Sequence, residues 1–177
     1  MIFLRELRES DAVDMLEWMH DQDIQKGFNK NMLSVTLEDA KKFCRDSSIP
    51  AELKDGANIH WAIVDEQDEY LGTISLKSID VINKNAEYAI STRKKVHGKG
   101  VALSATKQVL TKAFKEYGLH RVYLNVLSDN EAAIHLYKKA GFKLEGEFRD
   151  HLMKNDKYLN WKWFGILESE FCEYDGE

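Results

Sequence analysis

Hydrophobic and polar residues alternate, or form short apolar runs, in seven segments whose lengths are typical of β-strands. The first segment begins with three apolar residues and ends with charged residues on either side of Leu7. Three later segments are separated by short polar turns, which predicts an antiparallel meander. The last two flank Asn155-Asp156, a dipeptide that favours a hairpin turn. The predicted strands are 2–8, 59–65, 70–79, 85–92, 121–127, 142–152 and 158–167.

Four further segments have apolar residues at helical spacing, and two of them lie in the first half of the chain. Ser10 is predicted to cap the first, whose apolar residues fall at positions 12, 15, 16 and 19. The second is predicted to begin at Thr36 and to end at about residue 46, with acidic residues in its first turn. Residues 22–35 and 47–58 are predicted to be irregular.

The two helices of the second half have clearer ends. Residues 102–117 place small and aliphatic residues on one face, and Gly118 follows as a residue that can end a helix. Ser128 and Glu131 predict a capping box for the last helix, which stops at Gly141. The element order β-α-α-β-β-β-α-β-α-β-β predicts a single α+β domain, residues 1–167, with an acidic tail over residues 168–177.

The composition indicates a folded domain and argues against some classes of binding partner. Of the 177 residues, 44% are hydrophobic, which provides enough apolar surface for a core, and only one residue is proline. The formal net charge of −5 weighs against a nucleic-acid binder, which is usually basic. Cys44 and Cys172 are far apart and are expected to be free thiols in a reducing compartment. No signal-peptide pattern or 18-residue apolar run occurs, so a cytoplasmic protein without membrane contact is expected.

The segment most informative for function lies between a predicted strand and a predicted helix and reads Arg93-Lys-Lys-Val-His-Gly-Lys-Gly-Val-Ala102. Gly98 and Gly100 let a ligand approach the backbone because neither carries a Cβ. The next helix would point its free amides at the loop, and the basic side chains add positive charge, which suits a polyphosphate. The nucleotide P-loop sequence is absent, and Leu103 replaces the third glycine of the Rossmann fingerprint. An ordinary turn with surface lysines is the alternative.

Two motifs resemble those of the GNAT (Gcn5-related N-acetyltransferase) superfamily. Lys95-x-x-Gly98-x-Gly100 is similar to its pyrophosphate loop, where Gln or Arg usually stands at the lysine position. One helix and one strand later, Asn130-Glu-Ala-Ala-Ile-His-Leu-Tyr-Lys-Lys-Ala-Gly-Phe142 resembles a second signature. The resemblance covers residues 2–167 and is greatest to the RimJ/RimL-like branch, on account of the hairpin segment 145–158. It implies a mixed, mostly antiparallel sheet flanked by helices, with acetyl-CoA as co-substrate and no metal.

The resemblance also implies roles for single residues. The loop amides would hold the pyrophosphate, the strand 89–91 would pair with the pantetheine arm, and Asn130 would hydrogen-bond that arm from the other side. Tyr137 would protonate the departing thiolate or orient the thioester, and core packing is its alternative role. The implied cofactor-binding residues are Ala89, Ile90, Ser91, Lys95, Val96, His97, Gly98, Lys99, Gly100, Val101, Ala102, Asn130 and Tyr137.

Acetyl transfer to an amine needs a base or a water chain, because an ammonium must first lose a proton. Glu87 resembles the glutamate of the family's A-E-x-G-Y stretch and is the predicted base, with a solvated or substrate-binding carboxylate as the alternative. His20, His60 and His151 are weaker candidates. The predicted acceptor site lies between the first helical segment and the last hairpin, where aromatic rings and carboxylates suit a cation, and the rings also suit a sugar. Its predicted residues are Trp18, His20, Asp21, Phe28 and His151.

The predicted activity is therefore transfer of an acetyl group from acetyl-CoA to a primary amine of a small molecule. An amino-sugar nucleotide is the first expectation. A polyamine, an aminoglycoside and a protein N-terminus are the alternatives. A catalytically silent CoA-binding module is the alternative from another class. Neither a nucleic acid nor a membrane is an expected partner, and homodimer formation stays open.

Overall fold

In a computed structural model, residues 1–28, 31–47, 49–50 and 52–171 are described, and they form one sheet with helices on both faces. The strands are β1 (Ile2–Glu6), β2 (Ile59–Asp65), β3 (Tyr70–Asp80), β4 (Asn85–Thr92), β5 (Arg121–Leu127), β6 (Lys143–Lys154) and β7 (Lys157–Leu167). The α-helices are α1 (Ala12–Met19), α2 (Gln22–Lys26), α3 (Leu37–Asp46), α4 (Val101–Thr111) and α5 (Glu131–Lys139). Short 3₁₀ turns lie at Glu9–Asp11, Lys94–Val96 and Glu168–Glu170, and a π-helical turn at Lys112–Glu116 extends α4.

The sheet order is β1-β2-β3-β4-β5-β7-β6, and each neighbouring pair is antiparallel except β4 with β5. This confirms the predicted single domain with a mixed, mostly antiparallel sheet. The parallel β4–β5 pairing runs only from Asn85–Arg121 to Glu87–Tyr123. Since β4 continues to Thr92 and β5 to Leu127, the two strands separate toward their C-terminal ends and leave a gap.

The two faces of the sheet are covered differently. Helices α4 and α5 pack on one face over the main core, which contains the buried side chains of Trp61, Leu110 and Phe164. Helices α1 and α3 cover the other face over β1 to β3, where Met15 and Ala40 are fully buried. Burial of one large apolar side chain contributes roughly 1.5–3 kcal/mol, so each cluster fixes its helices firmly. The second face over β4, β5, β7 and β6 is called the open face here, because its side chains are half-exposed.

The N-terminal helices confirm one predicted cap and correct another. Thr36 caps α3, accepting the Asp39 amide at 3.2 Å, and the helix ends at Asp46 as predicted. The prediction that Ser10 caps α1 is wrong. Ser10 lies inside a 3₁₀ turn, and the Asp11 carboxylate instead accepts the Arg8 amide at 2.8 Å. A charged acceptor makes a stronger hydrogen bond than a serine hydroxyl, which explains the choice.

The prediction of an irregular segment over residues 22–35 is wrong for its first part, which is helix α2. Asp21 caps this helix by accepting the amides of Asp23 at 2.8 Å and Ile24 at 3.1 Å. The predicted capping box at Ser128 and Glu131 is also wrong. Asn130 is the N-cap of α5 and accepts the amide of Ala133, while the Ser128 hydroxyl donates to Glu147 at 2.9 Å.

Other local predictions hold. Gly118 has a φ of +63° after the π-helical turn, and the β6–β7 hairpin turns at Asn155 and Asp156, both with positive φ. Cys44 is a buried free thiol, and burial raises its pKa to about 11. Cys172 and most of the predicted acidic tail lie outside the described residues. Within the described part of the chain, no helix is long and apolar enough to cross a membrane.

Candidate active site

The loop between β4 and α4 is built around two left-handed glycines. Gly98 and Gly100 have φ values of +74° and +78°, and a Cβ added at either would meet no heavy atom within 4 Å. Residues with a Cβ lose about 1–2 kcal/mol in this conformation, which explains the glycines. Gly100 is the N-cap of α4, and no side chain caps this helix end. The amides of the first helical turn are therefore free to bind an anion, and the loop fits a pyrophosphate.

The basic side chains that begin this loop are occupied by carboxylates. Arg93 is buried, and its Nε donates to Glu17 at 2.7 Å while another of its nitrogens donates to Glu69 at 3.0 Å. Lys95 also pairs with Glu69. The sequence pattern assigns the charge of these residues to a phosphate ligand. In the structure much of that charge instead serves ion pairs that fasten the loop to the rest of the protein.

Lys94 makes the corresponding contact to helix α2. Its ammonium lies 3.0 Å from Asp23 and 3.7 Å from Asp21, and the hydrogen bond to Asp23 raises the pKa of Lys94. His97 contacts the Thr92 carbonyl at 3.2 Å. Side-chain ion pairs fasten the loop to the rest of the protein, and the amides of Val96, His97 and Lys99 bind carbonyls of the loop itself. The amides of Gly98, Gly100 and the first turn of α4 are therefore the ones presented to a ligand.

The gap between β4 and β5 begins immediately after the last pair, Glu87 with Tyr123. Ala89, Ile90 and Ser91 are the strand residues predicted to pair with pantetheine. They pair with β3 on one edge, and their other edge has no pairing with β5. Their edge toward β5 therefore has backbone groups available to an extended ligand. Asn130 lies on the opposite side, at the start of α5. Its side-chain oxygen caps that helix, so only its amide nitrogen remains for a ligand.

Two tyrosines meet at the point where the strands separate. Tyr88, the first residue of β4 beyond the last pair, packs edge-on against Tyr137 of α5 with ring centroids 5.8 Å apart. The Tyr88 hydroxyl is bound to Thr106 at 2.7 Å. No hydrogen bond joins the Tyr137 hydroxyl to another of the described residues, and burial alone raises the pKa of Tyr137 to about 12. Tyr137 is therefore protonated at neutral pH, with a hydroxyl that a ligand in the gap can use.

Glu87 lies on the open face, opposite to the tyrosine pair. Its carboxylate is 2.9 Å from the ammonium of Lys77, the residue paired with it on β3, and it is half-buried. Tyr123 faces the same side from β5. The predicted base is thus a carboxylate at the apex of the gap, with a cation beside it.

A row of five rings continues from Tyr123 across the open face. Tyr123 stacks on Trp163 with centroids 5.6 Å apart, and Trp163 contacts both Trp161 and Phe148. Trp161 in turn stacks on His151 at 5.1 Å. This aromatic row reaches from the apex of the gap to the β6–β7 hairpin, and it offers ring faces to a cation or to a flat ligand.

The sequence pointed to His151 but missed the other members of the aromatic row. The missed signal is the alternation in β7, where Trp161 and Trp163 are two residues apart and therefore face the same side of a strand. Which side that is depends on the pairing of β7 with β5, which a sequence does not display. In the structure Trp163 pairs with Asn125, which places it beside Tyr123.

The predicted acceptor residues of the first helical segment have local structural partners. Trp18 is buried, donates to the Tyr70 hydroxyl at 3.0 Å and stacks on Phe28. His20 contacts the carbonyl of Val35 at 2.9 Å, and Asp21 caps α2. The structure gathers these residues around α1 and α2, whereas His151 belongs to the aromatic row.

His60 is held in a polar contact on the covered part of the second face. Its Nδ1 lies 2.7 Å from the hydroxyl of Ser75, and its ring packs edge-on against Phe43 of α3. Burial, together with the charge of Lys77, lowers the pKa of His60 to about 4. His60 is therefore neutral at pH 7, and α3 covers its ring.

Two cavities lie beside the C-terminal end of β5. The larger, of about 270 Å³, is lined by Ser128, Asp129, Tyr158, Leu159 and Asn160. The smaller, of about 100 Å³, is lined by Leu127, Leu152, Met153 and Lys154. Within the described ranges, no group of three or more His, Cys, Asp or Glu side chains is arranged to hold a metal ion.

Comparison with known proteins gives a consistent family. The chain matches the acetyltransferase (GNAT) domain family over residues 2–143. It is 31% identical over 145 residues to spermidine N(1)-acetyltransferase of Vibrio cholerae, covering 81% of this chain and 84% of that protein. It is also 35% identical over 98 residues to spermidine N(1)-acetyltransferase of Escherichia coli K12, covering 55% and 53% of the two chains.

A solved structure extends the similarity to the whole fold. The crystal structure of spermidine N-acetyltransferase from Vibrio cholerae in complex with CoA and spermine superimposes with a TM-score of 0.83. The superposition covers 96% of each chain at 25% sequence identity.

Proposed function

The chain belongs to the GNAT family of N-acetyltransferases, and from that premise we propose that it moves an acetyl group from acetyl-CoA to a primary amine of a polyamine. We place it in the RimJ/RimL-like branch, on the similarity of the hairpin segment 145–158. The acetyl donor is bound in the gap between β4 and β5, with its pyrophosphate on the loop that contains Gly98 and Gly100.

The observation that carries this proposal is the early end of the β4–β5 pairing. Strand residues 89–91 keep free backbone groups next to the glycine loop, and the free hydroxyl of Tyr137 lies where the gap closes. An extended arm ending in a thioester fits this arrangement, because its anionic end meets the helix amides and its reactive end meets the tyrosine. A bare phosphate-binding turn would need only the loop.

The chemistry requires few protein groups. The amine nitrogen attacks the carbonyl carbon of the thioester, a C–N bond forms, and the C–S bond breaks with its electron pair leaving on sulfur. The attacking nitrogen releases one proton to solvent as the neutral amide forms. Tyr137 donates a hydrogen bond to that sulfur. Because its pKa of about 12 exceeds the value of about 8.5 for a thiol, hydrogen bonding to the developing thiolate is favoured over complete proton transfer. The thiolate can then take its proton from solvent.

Glu87 is the proposed acceptor of the proton that the ammonium loses. Its carboxylate faces the open side of the sheet beside the apex of the gap, where an incoming amine would arrive along the aromatic row. Lys77 holds the carboxylate in one orientation through the 2.9 Å ion pair. A water chain to the half-exposed open face is the alternative route for the proton.

The polyamine assignment rests on the aromatic row and on the relatives. The faces of Trp, Tyr and Phe rings attract ammonium groups, and the four such rings of the aromatic row suit a long molecule with several ammonium groups. The relatives named as spermidine acetyltransferases support this alternative over the amino-sugar nucleotide that the sequence suggested first. The net charge of −5 further favours a polycation.

An amino sugar is the second candidate, and a specific observation favours it. The parallel stacking of His151 on Trp161, with 23° between their planes, presents the kind of flat surface on which sugar rings pack.

The test is an acetyl-transfer assay on the purified protein. The protein is incubated with acetyl-CoA and one candidate acceptor at a time: spermidine, an amino-sugar nucleotide, or a peptide with a free N-terminal amine. Acetylated products are identified by mass spectrometry. We expect acetylspermidine as the main product. Transfer only to the amino-sugar nucleotide would overturn the polyamine assignment. Tight CoA binding with no transfer to any amine would favour a silent binding module.

Tyr137→Phe tests the mechanism with the same assay. A hydrogen bond to a charged group is worth roughly 1.5–3 kcal/mol, so kcat should fall about 10- to 100-fold while CoA affinity stays nearly constant. Tyr117→Phe is the control, because Tyr117 packs on Trp61 away from the gap. Equal activity of the two variants would remove Tyr137 from the mechanism.

A further inference from the structure

The tip of the β6–β7 hairpin contains a lysine bound in an unusual way. The ammonium of Lys154 donates to three main-chain carbonyls at the end of α2, those of Gln25 at 2.8 Å, Lys26 at 2.8 Å and Phe28 at 2.5 Å. Among the described residues, its hydrogen-bond partners are these carbonyls and not a carboxylate. Its three donors are thus used entirely by the backbone of one short segment.

This contact supplies a donor to the carbonyls of Lys26 and Phe28 and a second donor to the Gln25 carbonyl, which also accepts the Phe28 amide. The last carbonyls of a helix have no partner within the helix and carry partial negative charge, so a cation placed there is stabilised. The side chain of Lys154 is partly buried, and burial lowers its pKa although Asp129 acts in the opposite direction. The ammonium has left part of its water shell for this position, which makes the contact specific rather than a passing surface contact.

Helix α2 lies between the two parts of the proposed active site. On one side Lys94 of the cofactor loop holds its first turn through Asp23. On the other side, the end of α2 lies close to the start of α5. A Cβ on Gly27 would be only 2.7 Å from the side-chain nitrogen, Nδ2, of Asn130. Phe28 then stacks on Trp18. The segment therefore forms a wall next to the gap, and Lys154 is its connection to the hairpin that carries the aromatic row.

We propose that Lys154 is a positioning residue that fastens the end of α2 to the hairpin and so fixes the width of the amine-binding channel, the space between α2 and the hairpin through which the amine would reach the gap. The inference rests on the proposed function. The lysine side chain lines the 100 Å³ cavity together with Leu127, Leu152 and Met153, directly at the end of β5. Without its ammonium, the carbonyls of Lys26 and Phe28 lose the donor that Lys154 supplies, while the Gln25 carbonyl keeps the Phe28 amide, and the wall separates from the hairpin. Lys154 does not contact the reacting atoms.

The test compares Lys154→Met with Lys157→Met in the spermidine assay. Methionine keeps much of the length of the side chain and removes the ammonium, and Lys157 is an exposed lysine at the other end of the same turn. In Lys154→Met the KM for spermidine should rise about tenfold, because the channel is no longer held in its productive width, while the KM for acetyl-CoA stays within about twofold. Lys154→Arg should recover most of the loss, since a guanidinium can also donate to several carbonyls. Lys157→Met should behave like the unchanged protein.

A second measurement detects the fastening without any substrate. Amide hydrogen exchange of residues 22–28 should be at least about tenfold faster in Lys154→Met than in Lys157→Met. If exchange is unchanged, or if the KM values for both substrates rise together, the proposal is wrong. If the unchanged protein transfers no acetyl group to any amine, the proposed function has failed, and the exchange result alone then decides whether Lys154 fastens α2.

Discussion

Replacing both loop glycines by alanine should separate cofactor binding from folding. In Gly98→Ala/Gly100→Ala, each new methyl group enters open space, because no heavy atom lies within 4 Å of the position that either Cβ would take. The cost to the free protein is therefore only the left-handed backbone strain, about 1–2 kcal/mol per site, partly offset by a less flexible unfolded chain. For a chain of this size the melting temperature should fall by about 2–4 °C per kcal/mol.

The effect on the ligand should be much larger. The two methyl groups project from the backbone onto which a pyrophosphate would pack at van der Waals distance. Acetyl-CoA at about 100 times its dissociation constant should stabilise the unchanged protein by roughly 2.7 kcal/mol, a rise of about 5–10 °C. In the double variant most of that rise should disappear. Thermal melting with and without acetyl-CoA measures both quantities in one experiment.

Gly56→Ala provides a matched control. Gly56 has a φ of +74° and, like the loop glycines, open space around its Cβ position, but it lies in the segment before β2. It should show the same strain cost per site and the full acetyl-CoA effect. The reasoning is refuted if the double variant keeps the full ligand-induced rise, or if Gly56→Ala loses it as well.

Two further predictions concern stability. His60 has a pKa of about 4 in the folded protein and of about 6.5 in the unfolded chain. As the pH falls, the unfolded chain therefore takes up a proton before the folded protein does. Up to about 3 kcal/mol of folding free energy should be lost between pH 6.5 and pH 4. His60→Gln should flatten this part of the pH–stability curve measured by urea unfolding, and an unchanged curve would show that His60 is not the titrating group. Arg93→Met leaves Glu17 and Glu69 without their shared cation, which should cost about 2 kcal/mol after allowing for the exposure of those carboxylates. Arg45→Met, which removes an exposed cation, should cost less than about 1 kcal/mol, and equal losses would contradict the assignment.

The strands were predictable because their signals are local. Residues 59–65, 85–92 and 121–127 are strands with the predicted bounds, since each is a run of β-branched, aromatic and apolar residues between polar turns. The glycine loop was equally visible, because a left-handed backbone selects glycine directly. In both cases the residue type carries the physical requirement.

The missed features depend on competition between nearby groups. Ser10 and Ser128 are good caps by residue type, yet Asp11 and Asn130 occupy the positions that set the helix starts. Both a serine and its acidic or amide neighbour can cap, and the choice follows from tertiary contacts such as the pair between Arg5 and Asp11. A single sequence does not rank these options.

The acceptor side was the least predictable part for a related reason. Trp18, which the sequence assigned to the acceptor site, is held in the core by Tyr70 and Phe28, while the aromatic row contains residues from three different strands. Such a surface exists only after β5, β7 and β6 have paired in one register. Long-range pairing therefore decides which aromatic residues become available to a ligand.

The short ladder between β4 and β5 also has a mechanical consequence. Among the described residues, three residue pairs and two hydrogen bonds to the Lys84 carbonyl connect the backbone of an antiparallel half-sheet of four strands with that of one of three. Side chains of the main core also bridge the two halves. Few backbone hydrogen bonds cross this junction, so the backbone restrains relative movement of the two half-sheets less here than within either of them. An extended ligand that hydrogen-bonds to both strands across the gap would replace the backbone hydrogen bonds that β4 and β5 do not make with each other. If acetyl-CoA binds in the gap as proposed, it would complete the sheet for the duration of each turnover, and its departure would leave the two half-sheets joined by the short ladder alone.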